Sequence, residues 1–201
     1  MRLNDSARRW MPWLLLAASV IATAAVYWPG LTGGWVFDDF PNIVDNAAIH
    51  ITRGHSTLVA WVNSALSSPS SFLRRPLASL TFSLNWYFGG DNPWPFKLTN
   101  VIIHLVNGVL VFLMLRALLR LVGLRAASRA QARSYQATPA NKIAGAGRRA
   151  APASSFPATT YGSPPLDESA ATRLALIVAT AWMLLPINLM AVLYVVQRME
   201  S

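Results

Sequence analysis

The sequence predicts an all-α polytopic membrane protein: about three transmembrane helices, with amphipathic interfacial helices in the first outward loop. Three observations predict it: three long apolar runs, a composition of 54% hydrophobic and only 12% charged residues, and a lopsided distribution of basic residues. An ordinary soluble domain carries about 25% charge. The formal net charge of +9 in 201 residues would suit a nucleic-acid partner. Such binders, however, display their charge on one face and do not set it beside membrane-length apolar runs, so no nucleic acid is expected. With no cysteine in the chain, a disulfide framework and a Cys-ligated metal are both excluded.

A cytoplasmic tail, residues 1–9, precedes the first run. Residues 10–28 carry no charge, and nineteen of them at about 1.5 Å each approach the hydrocarbon thickness of about 30 Å. Trp10, Trp13, Tyr27 and Trp28 flank the run as interface anchors. A cleaved signal peptide is the competing reading, with Arg2, Arg8 and Arg9 as basic region and Ala22, Thr23 and Ala24 resembling a small-residue cleavage site. The apolar stretch exceeds the roughly 7 to 15 residues of such signals, which favours a retained anchor. The second run, residues 98–115, is bounded by Lys97 and Arg116. The third is read as a helix over 174–186, or from a few residues earlier. Pro186 interrupts it, because a proline inside a helix removes a backbone hydrogen bond. An outward amphipathic segment, 187–201, follows.

Charge orients these spans. The N-terminal tail sets Arg2, Arg8 and Arg9 against Asp5, and the second loop, residues 116–173, has nine basic residues against Asp167 and Glu168. Residues 29–97 balance Arg53, Arg74, Arg75 and Lys97 with Asp38, Asp39, Asp45 and Asp91. The basic excess marks the cytoplasmic side, so residues 29–97 face outward, toward a periplasm or its equivalent. The basic loop is rich in Ala, Ser, Pro, Gly and Thr, and too poor in large apolar residues to offset ordering entropy. It is expected to be disordered, a solvated topology determinant whose arginines touch anionic head groups.

The outward loop is far longer than a common connection, which points to structure or function of its own. Ser56 is expected to cap a helix through about Leu66, and Arg74, Arg75 and Pro76 to open a second that Gly89 and Gly90 close. Apolar positions such as Leu58, Val62, Leu77, Leu84 and Phe88 suit helices lying on the membrane surface. Ahead of them stands the acidic pair Asp38 and Asp39, set among Trp35, Phe37 and Phe40 just past the first span. Two adjacent carboxylates there are costly without a partner or a task, and burial beside a second carboxylate is one way a general base is tuned. An Asp turn that merely caps structure is the simpler alternative. On the second span, Lys97, Asn100, His104 and Asn107 form a polar stripe within about 80° of arc, which should face a bundle interior or a wet cavity. An interhelical hydrogen bond is the expected role of His104. His50, His55 and Asp45 match no metal-ligand spacing, and no metal is expected.

Four segments in order carry a family resemblance: WVFDDFPNIVDN from Trp35, RRPLASLTFSLNWYFGG from Arg74, FKLTNVIIHLVNGVLVFLML from Phe96, and LPINLMAVLYVVQRMES from Leu185. Together they resemble the amino-terminal part of GT-C-fold polytopic glycosyltransferases, and within these the bacterial relatives of the transmembrane and tetratricopeptide-repeat O-mannosyltransferases. The resemblance implies transfer of a sugar from a polyprenyl-phosphate donor to an acceptor hydroxyl, on a protein or a glycan, at the outer face of a bacterial plasma membrane. It implies no further cofactor. It places the general base on the acidic pair, with Asp38 ahead of Asp39, and makes Arg74, Arg75 and Arg198 candidates to neutralise the donor phosphate.

One departure is Leu185 ahead of Pro186, where relatives commonly place histidine. The family also runs to many more spans, so an incomplete GT-C fold, inactive by itself, is expected of these 201 residues. The alternative function is a non-enzymatic membrane module whose outward loop binds a partner.

Overall fold

The computed structural model describes residues 5–68, 75–136 and 167–196. Among them there is no strand, and six α-helices carry the architecture: α1 (Asp5–Tyr27), α2 (Leu58–Ala65), α3 (Pro76–Gly89), α4 (Pro93–Gln136), α5 (Glu168–Leu184) and α6 (Ile187–Leu193). Two stretches are long and apolar enough to cross a membrane, Trp10–Thr32 and Pro93–Ala132, and α5 with α6 makes a third, broken one, bent by 63°. The protein is an all-α polytopic membrane protein. Residues 1–110 with 178–201 form one compact unit and residues 111–177 another.

In the first unit, α1 continues past Tyr27 into a 3-10 turn, Trp28–Thr32. The small residues that resemble a cleavage site lie inside α1. Thr23 there is fully buried and donates to the Ser19 carbonyl, while the Ser19 hydroxyl accepts from Thr180 of α5 at 2.9 Å. Tyr27, Leu31, Val101 and Val192 form one apolar cluster. Ile43, Ile49, Phe82, Phe96 and Val195 form a second, which fastens the loop after α1 to the start of α4.

The loop folds into short helical turns and the pair α2 and α3, whose Ser64 and Ser83 hydroxyls meet in a buried hydrogen bond. The cap of α2 is Thr57 and not the expected Ser56: the Thr57 hydroxyl accepts from the Ala60 N–H, and Ser56 instead accepts from the Trp61 indole. Pro76 opens α3, with Gly89 its last residue and Gly90 its cap.

Three expected boundaries shift. The first helix starts at Asp5, inside the expected tail. The second starts at Pro93 and runs on to Gln136, so residues 116–136 are helical where a disordered loop was expected. The physical reason is propagation: once a span has nucleated, Leu, Ala and Arg extend a helix at little cost, and no proline interrupts the chain before residue 139. Residues 137–166 of that expected loop lie outside the described residues. In the second unit α4 and α5 are joined by Arg116 and Arg120 with Glu168, and the Asp167 carboxylate caps α5 through the Ala170 N–H.

The third span breaks at the expected proline, and its backbone is repaired from outside. Pro186 cannot donate to the Trp182 carbonyl, and the bend releases that of Met183. The Asn188 amide donates to the first, and His104 of α4 reaches the second at 3.0 Å. In a bilayer such carbonyls have no water to turn to. Lys97, Asn100 and His104 of the polar stripe are thus buried against neighbouring segments, whereas Ile102, Val106, Leu110 and Met114 form an exposed apolar stripe suited to lipid.

Gly108 allows α4 and α5 their close approach, since a side chain there would overlap the Met183 thioether. Gly108→Leu is expected to destabilise the protein by about 1–3 kcal/mol through overpacking. Val106→Leu, on the exposed face, should stay within about 0.5 kcal/mol in the same detergent-micelle thermal unfolding assay.

Candidate functional site

The turn after α1 separates two carboxylates that the sequence sets side by side. Phe37, 78% exposed, adopts φ 40°, a value non-glycine residues rarely take. The Asp39 N–H donates to the Val36 carbonyl at 2.9 Å and the Phe40 N–H to that of Phe37 at 3.2 Å. A single π-helical turn, Phe40–Val44, follows. Asn42 is buried within it and ties its side-chain amide to the Asp38 carbonyl at 2.8 Å. The resulting backbone leaves Asp38 exposed and buries Asp39, which is 1% accessible.

Asp39 spends both carboxylate oxygens on structure. Oδ2 accepts from the Val36 N–H at 3.1 Å, and Oδ1 accepts from the Val196 N–H at 3.0 Å, 157 residues away in sequence. Burial pushes its pKa above the ordinary carboxylate range; the two N–H donors and the charge of Lys97 pull it back, and Asp38 adds to the rise. Lys97, on the first turns of α4, is itself 4% accessible, and Gly33 leaves the space its ammonium occupies.

Of the expected phosphate-binding arginines, one lies among the described residues. Arg75 is the cap of α3, with φ 23°. Arg74 and Arg198 lie outside the described residues. Asp91 accepts from the Trp35 indole at 3.1 Å, fixing the far end of the loop to the acidic turn. His50 is held by the Ile43 carbonyl at 2.8 Å and stacks on Trp86, with ring centroids 3.5 Å apart. His55 and Asp45 are exposed. Among the described residues no group of three potential metal ligands converges.

The polar stripe divides. Lys97 turns toward Asp39, Asn100 donates to the Tyr194 carbonyl at 3.1 Å, and His104 holds Met183 while lying against Tyr27 and Trp182. Asn107 is exposed. Sequence reasoning placed Lys97 in the stripe and missed the action of its charge on Asp39; it missed entirely the role of the Val196 amide. Lys97 carried a signal, an uncompensated cation at the mouth of a span, whereas the Val196 amide carried none, since every residue has one.

The fold and site define an integral membrane protein whose first loop, after α1, presents one free and one buried carboxylate. Comparison with known proteins narrows this. The chain is 36% identical over 96 residues to the protein O-mannosyl-transferase TMTC3 of Mus musculus, an alignment covering 45% of this chain and 10% of that protein. It is 35% identical over 107 residues to the protein O-mannosyl-transferase Tmtc1 of Drosophila melanogaster, covering 52% and 12% respectively. With human TMTC3 it shares 37% over 91 residues, covering 43% and 10%. About half of the chain is thus similar to protein O-mannosyl-transferases, and the alignments span about a tenth of the length of these curated relatives. No family model and no solved structure matches it.

Asp39→Ala strands two backbone N–H groups and a buried lysine, and is expected to cost about 3–5 kcal/mol in thermal unfolding. Asp38→Asn, at an exposed position, should stay within about 0.5 kcal/mol. The raised pKa of Asp39 fixes the sign of its pH effect. The stability it contributes is fully present below the unfolded carboxyl value of about 4 and declines as pH rises through the folded value. Unfolding profiles of the wild type against Asp39→Asn should differ by this falling slope from about pH 4 upward.

Proposed function

We propose that the chain is the amino-terminal region of an integral-membrane glycosyltransferase of GT-C type. It transfers a sugar, mannose by analogy with its relatives, from a polyprenyl-phosphate donor to a protein hydroxyl on the outer side of a bacterial plasma membrane. The observation that carries this reading is the division of the acidic pair, with Asp38 free and exposed on a turn braced by Asp39. In the reaction the acceptor oxygen attacks the anomeric carbon as the bond from that carbon to the phosphate oxygen breaks. Asp38 takes the hydroxyl proton, and the polyprenyl phosphate leaves as an anion. No protonation of the leaving group is required, so one general base suffices. Arg74, Arg75 and Arg198 are assigned to the donor phosphate, where a guanidinium matches the geometry of the oxygens.

The similarity over half the chain supports the sugar-transfer class, and the burial of Thr23 within a packed α1 supports a retained anchor. The charge bias supports a cytoplasmic amino terminus and an outward acidic turn.

Two measurements test this. In membranes carrying the chain within its full reading frame, Asp38→Asn should lower mannosyl transfer from polyprenyl-phosphate mannose to a polypeptide by about 10²–10⁴-fold, the contribution of a general base, at unchanged protein level. Retained transfer would remove Asp38 from the mechanism. Because the chain has no cysteine, single substitutions Gly54→Cys and Ala127→Cys report orientation directly. A membrane-impermeant maleimide applied to intact cells should label the first and spare the second, and the reverse pattern would overturn the topology.

A further inference from the structure

Along the polar stripe beyond Lys97, a cleft of about 230 Å³ opens between α4, the end of α5, and α6. Asn100, His104, Asn107, Trp182, Asn188 and Val192 are among its lining residues, and no charged side chain lines it. Most of the stripe already serves the broken third span, but its polar capacity is not used up. The His104 Nε2 faces the Met183 carbonyl, which only accepts, so Nε2 carries a hydrogen and Nδ1 is the open nitrogen of the ring. Nδ1 has no hydrogen-bond partner among the described residues. The Asn188 Nδ2 is committed to the Trp182 carbonyl, leaving its Oδ1 without a partner there, and Asn107 uses neither end of its amide. The unfilled groups therefore include acceptors, the Asn107 and Asn188 Oδ1 atoms, and donors, the Asn107 amide nitrogen and the Trp182 indole N–H, gathered within a span, where an unfilled polar group is costly and marks a functional position.

We infer that this cleft binds an uncharged, hydroxyl-rich ring: a single sugar unit. A polyol brings hydroxyls that both donate and accept, as this mixed set of open groups requires, and an apolar C–H face for the indole. A phosphate brings only acceptors and finds no cation in the cleft, and a hydrocarbon chain fills none of the polar groups. The volume lies below the roughly 300–1,000 Å³ of pockets for drug-sized ligands, which suits one ring and not an oligosaccharide. Asn107 lies ten residues beyond Lys97, about 15 Å along the helix at about 1.5 Å per residue. The identification of this ring with the sugar of the donor rests on the glycosyltransferase reading; the binding of a sugar does not.

The test uses the 201-residue chain in lipid nanodiscs and an octyl mannoside with a photoreactive diazirine in the first carbons of its alkyl chain. Mass spectrometry should place the adduct on the peptides containing Asn107 and Trp182. Unlabelled octyl mannoside should displace it, and Asn107→Leu should reduce labelling about fivefold, the effect of one lost hydrogen bond, while Asn107→Gln retains most of it. Displacement by free mannose as well assigns the cleft to a sugar whether soluble or lipid-linked; displacement by the octyl mannoside alone assigns it to a lipid-linked one. Equal displacement by an octyl phosphocholine, or undiminished labelling of Asn107→Leu, overturns the inference. Retained transfer in Asp38→Asn, or no mannosyl transfer by the wild type, leaves this labelling unaffected, so the two proposals fail separately.

Discussion

The buried carboxylate of Asp39 lies where three stretches of chain meet: the turn after α1, the first turns of α4, and the segment beyond α6, which the apolar cluster of Ile43, Phe96 and Val195 also brings together. A carboxylate this deeply buried is a large liability unless its lone pairs are filled and a positive charge lies near. Here two backbone amides fill them and Lys97 supplies the charge, so the turn can adopt only the shape that delivers all three. The position of Asp38 follows from that constraint. The Asn42 side chain holds the Asp38 carbonyl, and the strained Phe37 backbone on its other side is sustained by the surrounding contacts.

A second constraint acts inside the bilayer and arises from one residue. Pro186 ends α5 and withholds a donor from the Trp182 carbonyl, and the 63° bend frees the Met183 carbonyl as well. Within hydrocarbon such a break is tolerated only if neighbouring side chains replace the missing donors. Asn188 and His104 do so, and Asn100 does the same for the carbonyl of Tyr194 at the end of α6. The stripe on α4 and the break in the third span are thus linked: His104 serves the Met183 carbonyl, while the Leu185 N–H and the Asn188 amide serve that of Trp182.

Much of this was legible in the sequence, and the limits have physical causes. The spans announced themselves because lipid demands long apolar runs, and the loop helices because Pro76 and the Gly89 and Gly90 pair punctuate them. The inward face of the stripe followed from its helical period. What periodicity cannot show is pairing at long range. Nothing in the string WVFDDFPN indicates that the second aspartate will receive an amide from residue 196, or that of two identical neighbours one is buried and one exposed. The end of α4 was misplaced for a different reason, since composition that favours disorder in isolation becomes helical when a nucleated span already precedes it.

The two aspartates also show why adjacency in sequence need not mean shared chemistry. A general base must present a lone pair to the acceptor and be ionised at working pH. Asp39 does not meet the first condition well, since both of its oxygens already accept N–H groups. Asp38 is exposed, and its side chain is tied to no donor among the described residues. If the pair acted as a coupled dyad, the two would have to share a proton across a common site. They are instead divided by the turn, one facing inward and one outward, so the environment assigns different roles to chemically identical groups. The inward member holds the loop against α4 and the segment after α6, and the outward member is thereby carried at a fixed place on the exposed side of the turn. That division braces the turn through Asp39 and leaves the Asp38 carboxylate exposed.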